Sequence, residues 1–134
     1  MIEPTDREGR TALHYAANDG DLGTVQELII SGAEVGRTDR HGWTPLHFAA
    51  QAQAESVAKA LLAAGAGVDA ADADGNTPLS RAVFSSRGNG SLIKLLRSHG
   101  ADPQRINRHG QSPAGLARLI ANYDVAQYFA DLEV

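Results

Sequence analysis

The chain has 134 residues, 43% of them apolar and 5% aromatic, and no cysteine, which indicates one modest globular domain without disulfides or cysteine-ligated metals. The net charge is −4 and the 12 basic residues are spread along the chain with aspartates between them, so no nucleic-acid partner is expected. No apolar stretch approaches the ~18 residues of a membrane span, and the first residues lack the pattern of a secretory signal. We therefore expect a cytoplasmic protein without a membrane partner.

A marker segment recurs along the chain. Its glycines are residues 9, 42, 75 and 110, so the period is 33 residues twice and then 35. A second glycine series, at residues 32, 65 and 100, keeps the same step and places the two extra residues between Leu79 and Leu92. The sequence is therefore divided into four units, at approximately 6–38, 39–71, 72–106 and 107–134, which form a single domain.

Each unit predicts two helices and a turn. Thr44 before Pro45 is typical of a helix start, where the side chain caps the first turn and proline loses no hydrogen bond. A second helix with apolar residues at helical spacing follows and ends at the second glycine series. Helices Leu22 to Ile30 and Tyr123 to Leu132 are expected to close the two ends, and Asp124, Gln127 and Asp131 are expected to face solvent. One such pair cannot bury its apolar face alone, so the units are predicted to stack.

The segment Thr44-Pro45-Leu46-His47 and its three relatives resemble the ankyrin repeat, over about residues 6 to 134. The units depart from that signature at Ala12, Ser80 and Gly115, and the fourth lacks the Gly-Ala ending. The resemblance implies an all-α solenoid of four helix–turn–helix units that binds other proteins. It also implies that His14 and His47 hydrogen-bond the threonine hydroxyl and nearby backbone rather than catalyse a reaction.

No other pattern indicates chemistry. His41 and His109 stand two units apart, and layers ~10 Å thick would keep them from sharing a zinc ion. The glycine-rich segment 88–90 lacks the setting of a phosphate loop, and Asp72 and Asp74 belong to an exposed turn. We therefore expect no enzyme, no cofactor, no metal and no small-molecule substrate.

Side chains that the repeat does not dictate are the candidates for partner contact. They lie at the turn tips, late in the first helix of each unit, and in the inserted loop 85–90. The candidates are Arg7, Glu8, Arg10, Asn18, Asp19, Arg40, His41, Trp43, Gln51, Asp74, Asn76, Phe84, Ser85, Arg87, Arg108, His109 and Gln111. Trp43 is expected to be an exposed contact, the alternative being a ring folded over its own turn. The loop either carries binding or is a tolerated insertion.

The stretches 81–88 and 120–125 resemble small solitary ankyrin proteins of bacteria, some of which are immunity proteins against polymorphic toxins. A chain that is only one repeat stack can act by covering a surface, so the predicted function is stoichiometric inhibition of a partner protein such as a cognate toxin. The alternative is a non-inhibitory adaptor or regulatory subunit. The acidic net charge favours a basic partner, and the free protein is expected to be a monomer.

Overall fold

The computed structural model describes residues 4–120 and 122–132, and in these ranges the chain contains helices and no strand. Within these ranges, seven α-helices are followed by one short 3₁₀ turn. They are α1 (Ala12–Asn18), α2 (Leu22–Ile30), α3 (Pro45–Gln51), α4 (Glu55–Ala63), α5 (Pro78–Ser85), α6 (Ser91–Ser98), α7 (Pro113–Leu119) and the 3₁₀ turn (Ala126–Phe129). None of the helices in the described ranges has the length and apolar character required to cross a membrane.

The odd-numbered helices form an inner layer and the even-numbered helices an outer layer. Helix α3 packs between α1 and α5, α5 packs against α7, and α4 lies between α2 and α6. Each inner helix begins after a threonine or serine in extended conformation, and three of the four have proline in the first turn. The predicted helix starts are confirmed, and so is the predicted all-α solenoid.

Four turn tips precede the inner helices and have the same internal bonds. The side-chain oxygen of Asp6, Asp39, Asp72 or Asn107 accepts hydrogen bonds of 2.8–3.0 Å from the amides two and four residues later. Neighbouring tips are joined through the backbone, because the Arg40, Ala73 and Arg108 amides donate to the preceding tip at 2.7, 2.9 and 2.9 Å. Gly42 is required here, since it has φ +79° and a Cβ would lie 2.9 Å from the Ala73 nitrogen. The tips therefore form a continuous hydrogen-bonded edge.

The core lies between the two layers. Leu46, Leu61 and Leu79 have no exposed surface, and neither do the alanines of α3 and α5 at the helix contacts. Small side chains let the thin helical layers approach closely, so many short contacts replace a few large aromatic ones. The abundance of alanine follows from this packing.

The predicted terminal helix Tyr123 to Leu132 is wrong. Only Ala126–Phe129 is helical, as a 3₁₀ turn, and the Leu132 amide bonds the Phe129 carbonyl at 3.0 Å instead of continuing an α-helix. The Tyr128 carbonyl, which an α-helix would pair with the Leu132 amide, accepts instead from Arg97 at 2.8 Å. Arg97 also holds Asp131 through two bonds of 2.8 and 2.6 Å. The outer helix of the earlier units is thus replaced by a segment latched onto α6. Asp124, Gln127 and Asp131 are exposed, as expected.

The two-residue insertion lies in the loop 86–90, between α5 and α6. The Tyr128 hydroxyl donates to the Gly88 carbonyl at 2.8 Å. A Cβ on Gly90 would lie 2.1 Å from the Tyr128 ring, so glycine is required where the ring packs. The latched segment therefore supports one side of this loop.

Candidate functional site

The inner helices leave one face uncovered by the outer layer. Two rows of side chains on this face occupy equivalent positions of successive units. The first row is Tyr15, Phe48, Arg81 and Leu116, and the second row is Asn18, Gln51, Phe84 and Leu119. All eight are half-buried or exposed, whereas the residues between them on the same helices are largely buried. We call these two rows the inner-helix face.

His14 and His47 link neighbouring units beneath this face. Nδ1 of His47 accepts the Thr44 amide at 3.1 Å and lies 2.9 Å from the Thr44 hydroxyl, and Nε2 donates to the Asn76 carbonyl at 2.9 Å. His14 makes the same bonds with Thr11 and with the Trp43 carbonyl. Burial lowers the pKa of both imidazoles, which keeps them neutral in this bonding pattern. Both histidines therefore have the structural role implied by the resemblance.

The third unit lacks this link. Ser80 stands where the first two units have histidine, and the buried Thr77 hydroxyl oxygen has no hydrogen-bond partner among the described residues. A groove opens at this point between the third and fourth tips. Its lining is Asn76, Ser80, Arg81, Phe84, Asn107, Gln111, Ser112 and Leu116. A shorter side chain therefore creates a recess on the inner-helix face.

Arginine side chains and aromatic rings form one continuous row of contacts across this face and the adjoining tips. The Arg10 guanidinium lies 5.2 Å from the Phe48 ring centre, the Phe48 and Trp43 rings are 4.9 Å apart, and Arg81 lies 5.4 Å from Trp43 and 5.6 Å from Phe84. Contacts of this kind contribute about 0.5–1 kcal/mol each at exposed sites. The expectation of an exposed Trp43 without a packing role is wrong, because the ring is half-buried and stacks on its own unit and on Arg81.

The two arginines in this row differ in their partners. Arg10 donates from Nε to the Asp39 carboxylate at 3.2 Å. Arg81 has a buried Nε without a hydrogen-bond partner and forms no ion pair among the described residues. The rings of Trp43 and Phe84 hold its guanidinium in place without using its N–H donors. Because Nε is buried, only the terminal N–H groups of this half-buried side chain can meet an external acceptor.

Phe84 projects from this surface with 62% of its area exposed. It lines the groove described above and two more. The second groove is lined by Gln51, Ala52, Gln53, Phe84, Ser85, Ser86 and Arg87, and the third by Phe84, Ser86, Arg87, Leu116, Leu119, Ile120, Asn122 and Tyr123. We call these three the Phe84 grooves. Among the described residues, Arg81 and Arg87 line them and no acidic residue does.

The candidate residues of the first two tips are brought together in pairs. Arg40 donates to the Arg7 carbonyl at 3.1 Å, and the His41 imidazole lies 3.1 Å from the Glu8 carboxylate. Arg7, Arg40 and His41 are exposed. The residues that a partner would meet at these tips are therefore partly engaged with one another.

The candidates of the last two tips are more open. Asp74, Arg108 and His109 are exposed. Asn76 and Gln111 are half-buried in the groove beside Ser80, where Asn76 accepts a hydrogen bond of 2.9 Å from the Asn107 side chain. Asn76 thus joins two tips as well as lining a recess.

The remaining candidates lie at the far ends of the inner helices, about 10 Å from the tips at 1.5 Å per residue. Asn18 and Asp19 are exposed and do not line the Phe84 grooves. The buried carbonyl oxygen of the Gln51 side chain has no hydrogen-bond partner among the described residues. Ser85 is engaged internally, since its hydroxyl lies 2.9 Å from the Arg81 carbonyl and accepts the Gln53 amide at 2.9 Å. Arg87 is exposed and has φ +50°, an unfavourable conformation for a residue with a side chain.

Sequence reasoning missed the first row of the inner-helix face and Leu119. The position four residues after each cap holds Tyr15, Phe48, Arg81 and Leu116, four different residue types directly before a position that is alanine in every unit. That variability could have indicated an outward position, because a repeat-determined core position would hold similar residues.

No group of three potential ligands among His, Cys, Asp and Glu in the described ranges is arranged to hold a metal ion.

The family model for ankyrin repeats matches residues 13–107, with three copies. This is more than half of the chain, and the chain belongs to the ankyrin-repeat family. No curated protein matches it significantly. The chain is accordingly a protein–protein interaction module.

Proposed function

We propose that the protein is a stoichiometric inhibitor that covers a functional surface of a partner protein, the leading case being neutralisation of a cognate bacterial toxin. The supporting observation is the exposed Phe84 side chain at the centre of the Phe84 grooves. An aromatic ring exposed to this extent, beside two arginines without carboxylate partners, has the composition of a binding hot spot. Nothing in the core packing requires it.

The contacts beneath this surface would keep it rigid during binding. The hydrogen-bonded tips and the buried histidine links fix the inner helices relative to each other. A rigid surface loses little conformational entropy when it binds, so more of the contact energy remains as affinity. A partner enclosed against such a face would be blocked by occupancy alone.

We also propose that the four predicted units act as one domain and that partner contact extends from the tips to the inner-helix face. Arg40, Arg108 and His109 would form the outer rim of the interface and Phe84 its centre. Trp43 would support Arg81 from below and contact the partner by its remaining edge. Against a toxin that acts inside the cell, the place of action would be the cytoplasm.

The alternative proposal is an adaptor that recruits its target without blocking it. An adaptor needs a second, separate surface, and the outer layer exposes Ile30 at 86%. A single exposed apolar residue is common on protein surfaces and forms no patch. We therefore favour inhibition over recruitment.

The test begins with co-purification of the partner from the native host. The partner's own activity is then titrated with the purified protein, which should abolish it at an equimolar ratio. Phe84→Ser should shift the titration to higher concentration, while Lys59→Gln, on the outer helix α4, should leave it unchanged. A stable complex with undiminished partner activity would establish the adaptor and refute inhibition.

A further inference from the structure

We propose that the Phe84 grooves accept an acidic segment of the partner, with a carboxylate on the Arg81 guanidinium and an adjacent apolar side chain against Phe84 and Leu116. This inference rests on the proposed function, because it names the chemistry that the same surface recognises. It reverses the expectation drawn from the net charge, which favours a basic partner.

Arg81 has hydrogen-bonding capacity that the described residues do not use. A guanidinium has five N–H donors in a planar fork that matches the two oxygens of a carboxylate. No acceptor for them is found among the described residues; Nε is buried, and the guanidinium lies 5.4 Å from the Trp43 ring centre and 5.6 Å from the Phe84 ring centre in the groove wall. The two terminal nitrogens are therefore the donors that would bind the two oxygens of one carboxylate.

Charge is distributed unevenly between the tips and the Phe84 grooves. At the first two tips, Asp39 accepts from Arg10 and Glu8 faces His41. Among the described residues, those that line the Phe84 grooves include Arg81 and Arg87 and no carboxylate. The charged side chains that a partner would meet in these grooves are therefore cationic, despite the net charge of −4.

An apolar wall lies beside the cation. Phe84, Leu116 and Leu119 are at least partly exposed and line the same recesses. An isolated anion would leave this apolar surface in contact with water. A peptide with an acidic residue next to a leucine or an aromatic residue would contact both the guanidinium and the apolar wall. The occupant is thus an acidic protein segment.

The experiment selects short random linear peptides, displayed on phage, against the immobilised full chain. Enriched peptides should carry aspartate or glutamate next to an apolar residue. Their affinity for Arg81→Gln should fall about tenfold or more, as for loss of a charge-assisted bidentate contact. Lys59→Gln, which removes the same charge from the outer layer, should bind them like the unchanged chain. Thermal melting checks that both variants are folded.

A second variant separates the possible failures. Peptides that lose affinity for Phe84→Ser but lack acidic residues, or bind Arg81→Gln normally, would overturn this inference and leave the proposed binding surface intact. Peptides unaffected by both variants would overturn the inference and the proposed surface together. So would a selection that enriches no sequence. Tighter binding of a single-stranded oligonucleotide than of the acidic peptides at the same site would also refute the proposal.

Discussion

The first two units and the last two differ in how their polar and aromatic groups are used. In the first half, His14 and His47 bridge successive tips, Arg10 pairs with Asp39, and the Tyr15 hydroxyl bonds Asp6. In the second half, Ser80 leaves the bridge unmade, and Arg81 and Phe84 have no comparable polar partner among the described residues. The first half thus uses these groups in internal contacts, whereas the second half leaves the corresponding groups without such contacts.

The difference between the two halves indicates which positions of a repeat protein determine its binding specificity. Residues that complete the repeat pattern lock the units together, and each departure from the pattern frees groups for another molecule. The Ser80 recess and the loop beside Arg87 are both departures within the third unit. Exchanging residues between the two halves, or replacing them, therefore tests this difference.

The largest effect is expected for His47→Ser, which gives the second unit the residue of the third. The variant loses bonds to the Thr44 amide, the Thr44 hydroxyl and the Asn76 carbonyl, all made in a buried setting. Leaving such groups unsatisfied should lower the free energy of unfolding by about 2–4 kcal/mol, measured by urea denaturation. His109→Ser at an exposed tip should change it by less than about 0.5 kcal/mol. Equal effects would show that the bridge contributes nothing.

The buried histidines also predict a pH dependence. Burial lowers the pKa of His14 and His47 below 6.5, so the unfolded chain takes up protons first as the pH falls. Their contribution to stability is therefore complete above about pH 7 and is lost on acidification, by at most about 1.4 kcal/mol per pH unit for each histidine. Thermal midpoints should fall from about pH 7 to about pH 5, and less steeply in His47→Ser. A midpoint that rises over this range would contradict the assignment.

The reverse exchange, Ser80→His, should be mildly stabilising. A histidine here would meet the unpaired Thr77 hydroxyl and the Gln111 carbonyl, in the positions that the first two bridges use. We expect a gain of about 1 kcal/mol in the free energy of unfolding and weaker partner binding, because the ring would fill the recess. Destabilisation would mean that the groove is too small for an imidazole.

The smallest effect on stability is expected for Arg87→Gly. Arg87 has φ +50°, which glycine adopts without strain, so stability should stay constant or rise by up to about 1 kcal/mol while partner binding weakens. The matched control is Gln53→Gly, at φ +55°, where the side chain bonds the Ala82 carbonyl and the Ser85 hydroxyl at 2.9 Å. That variant should lose about 1 kcal/mol. Unchanged binding would remove Arg87 from the proposed contact, and destabilisation would contradict the expected relief of backbone strain.

The repeat pattern predicted most of the fold because its signals are local. The caps at Thr44 and Ser112, the proline starts and the helix Leu22–Ile30 follow from residues adjacent in sequence. At the end of the chain the prediction was wrong, and the segment there is held by Arg97, more than 30 residues away, through the Tyr128 carbonyl and Asp131. Such a contact leaves no periodic signal.

The candidate site was predictable only in outline. Subtracting the repeat identified Phe84, Arg87 and the tip residues, but Trp43 was expected to be exposed and Arg81 was overlooked. Both depend on a stack between units, Arg81 resting on a ring from the preceding unit. The resemblance to immunity proteins extends over residue 121, which lies outside the described residues, and that function stays a prediction.

Photo-cross-linking tests the central claim most directly, namely that the partner binds across the Phe84 grooves. A photoreactive phenylalanine analogue is introduced at position 84, or at position 30 on the outer layer, and each variant is irradiated in complex with the partner purified from the native host. The account predicts a cross-linked product from position 84 and none from position 30. Cross-linking from position 30 with none from position 84 would contradict it.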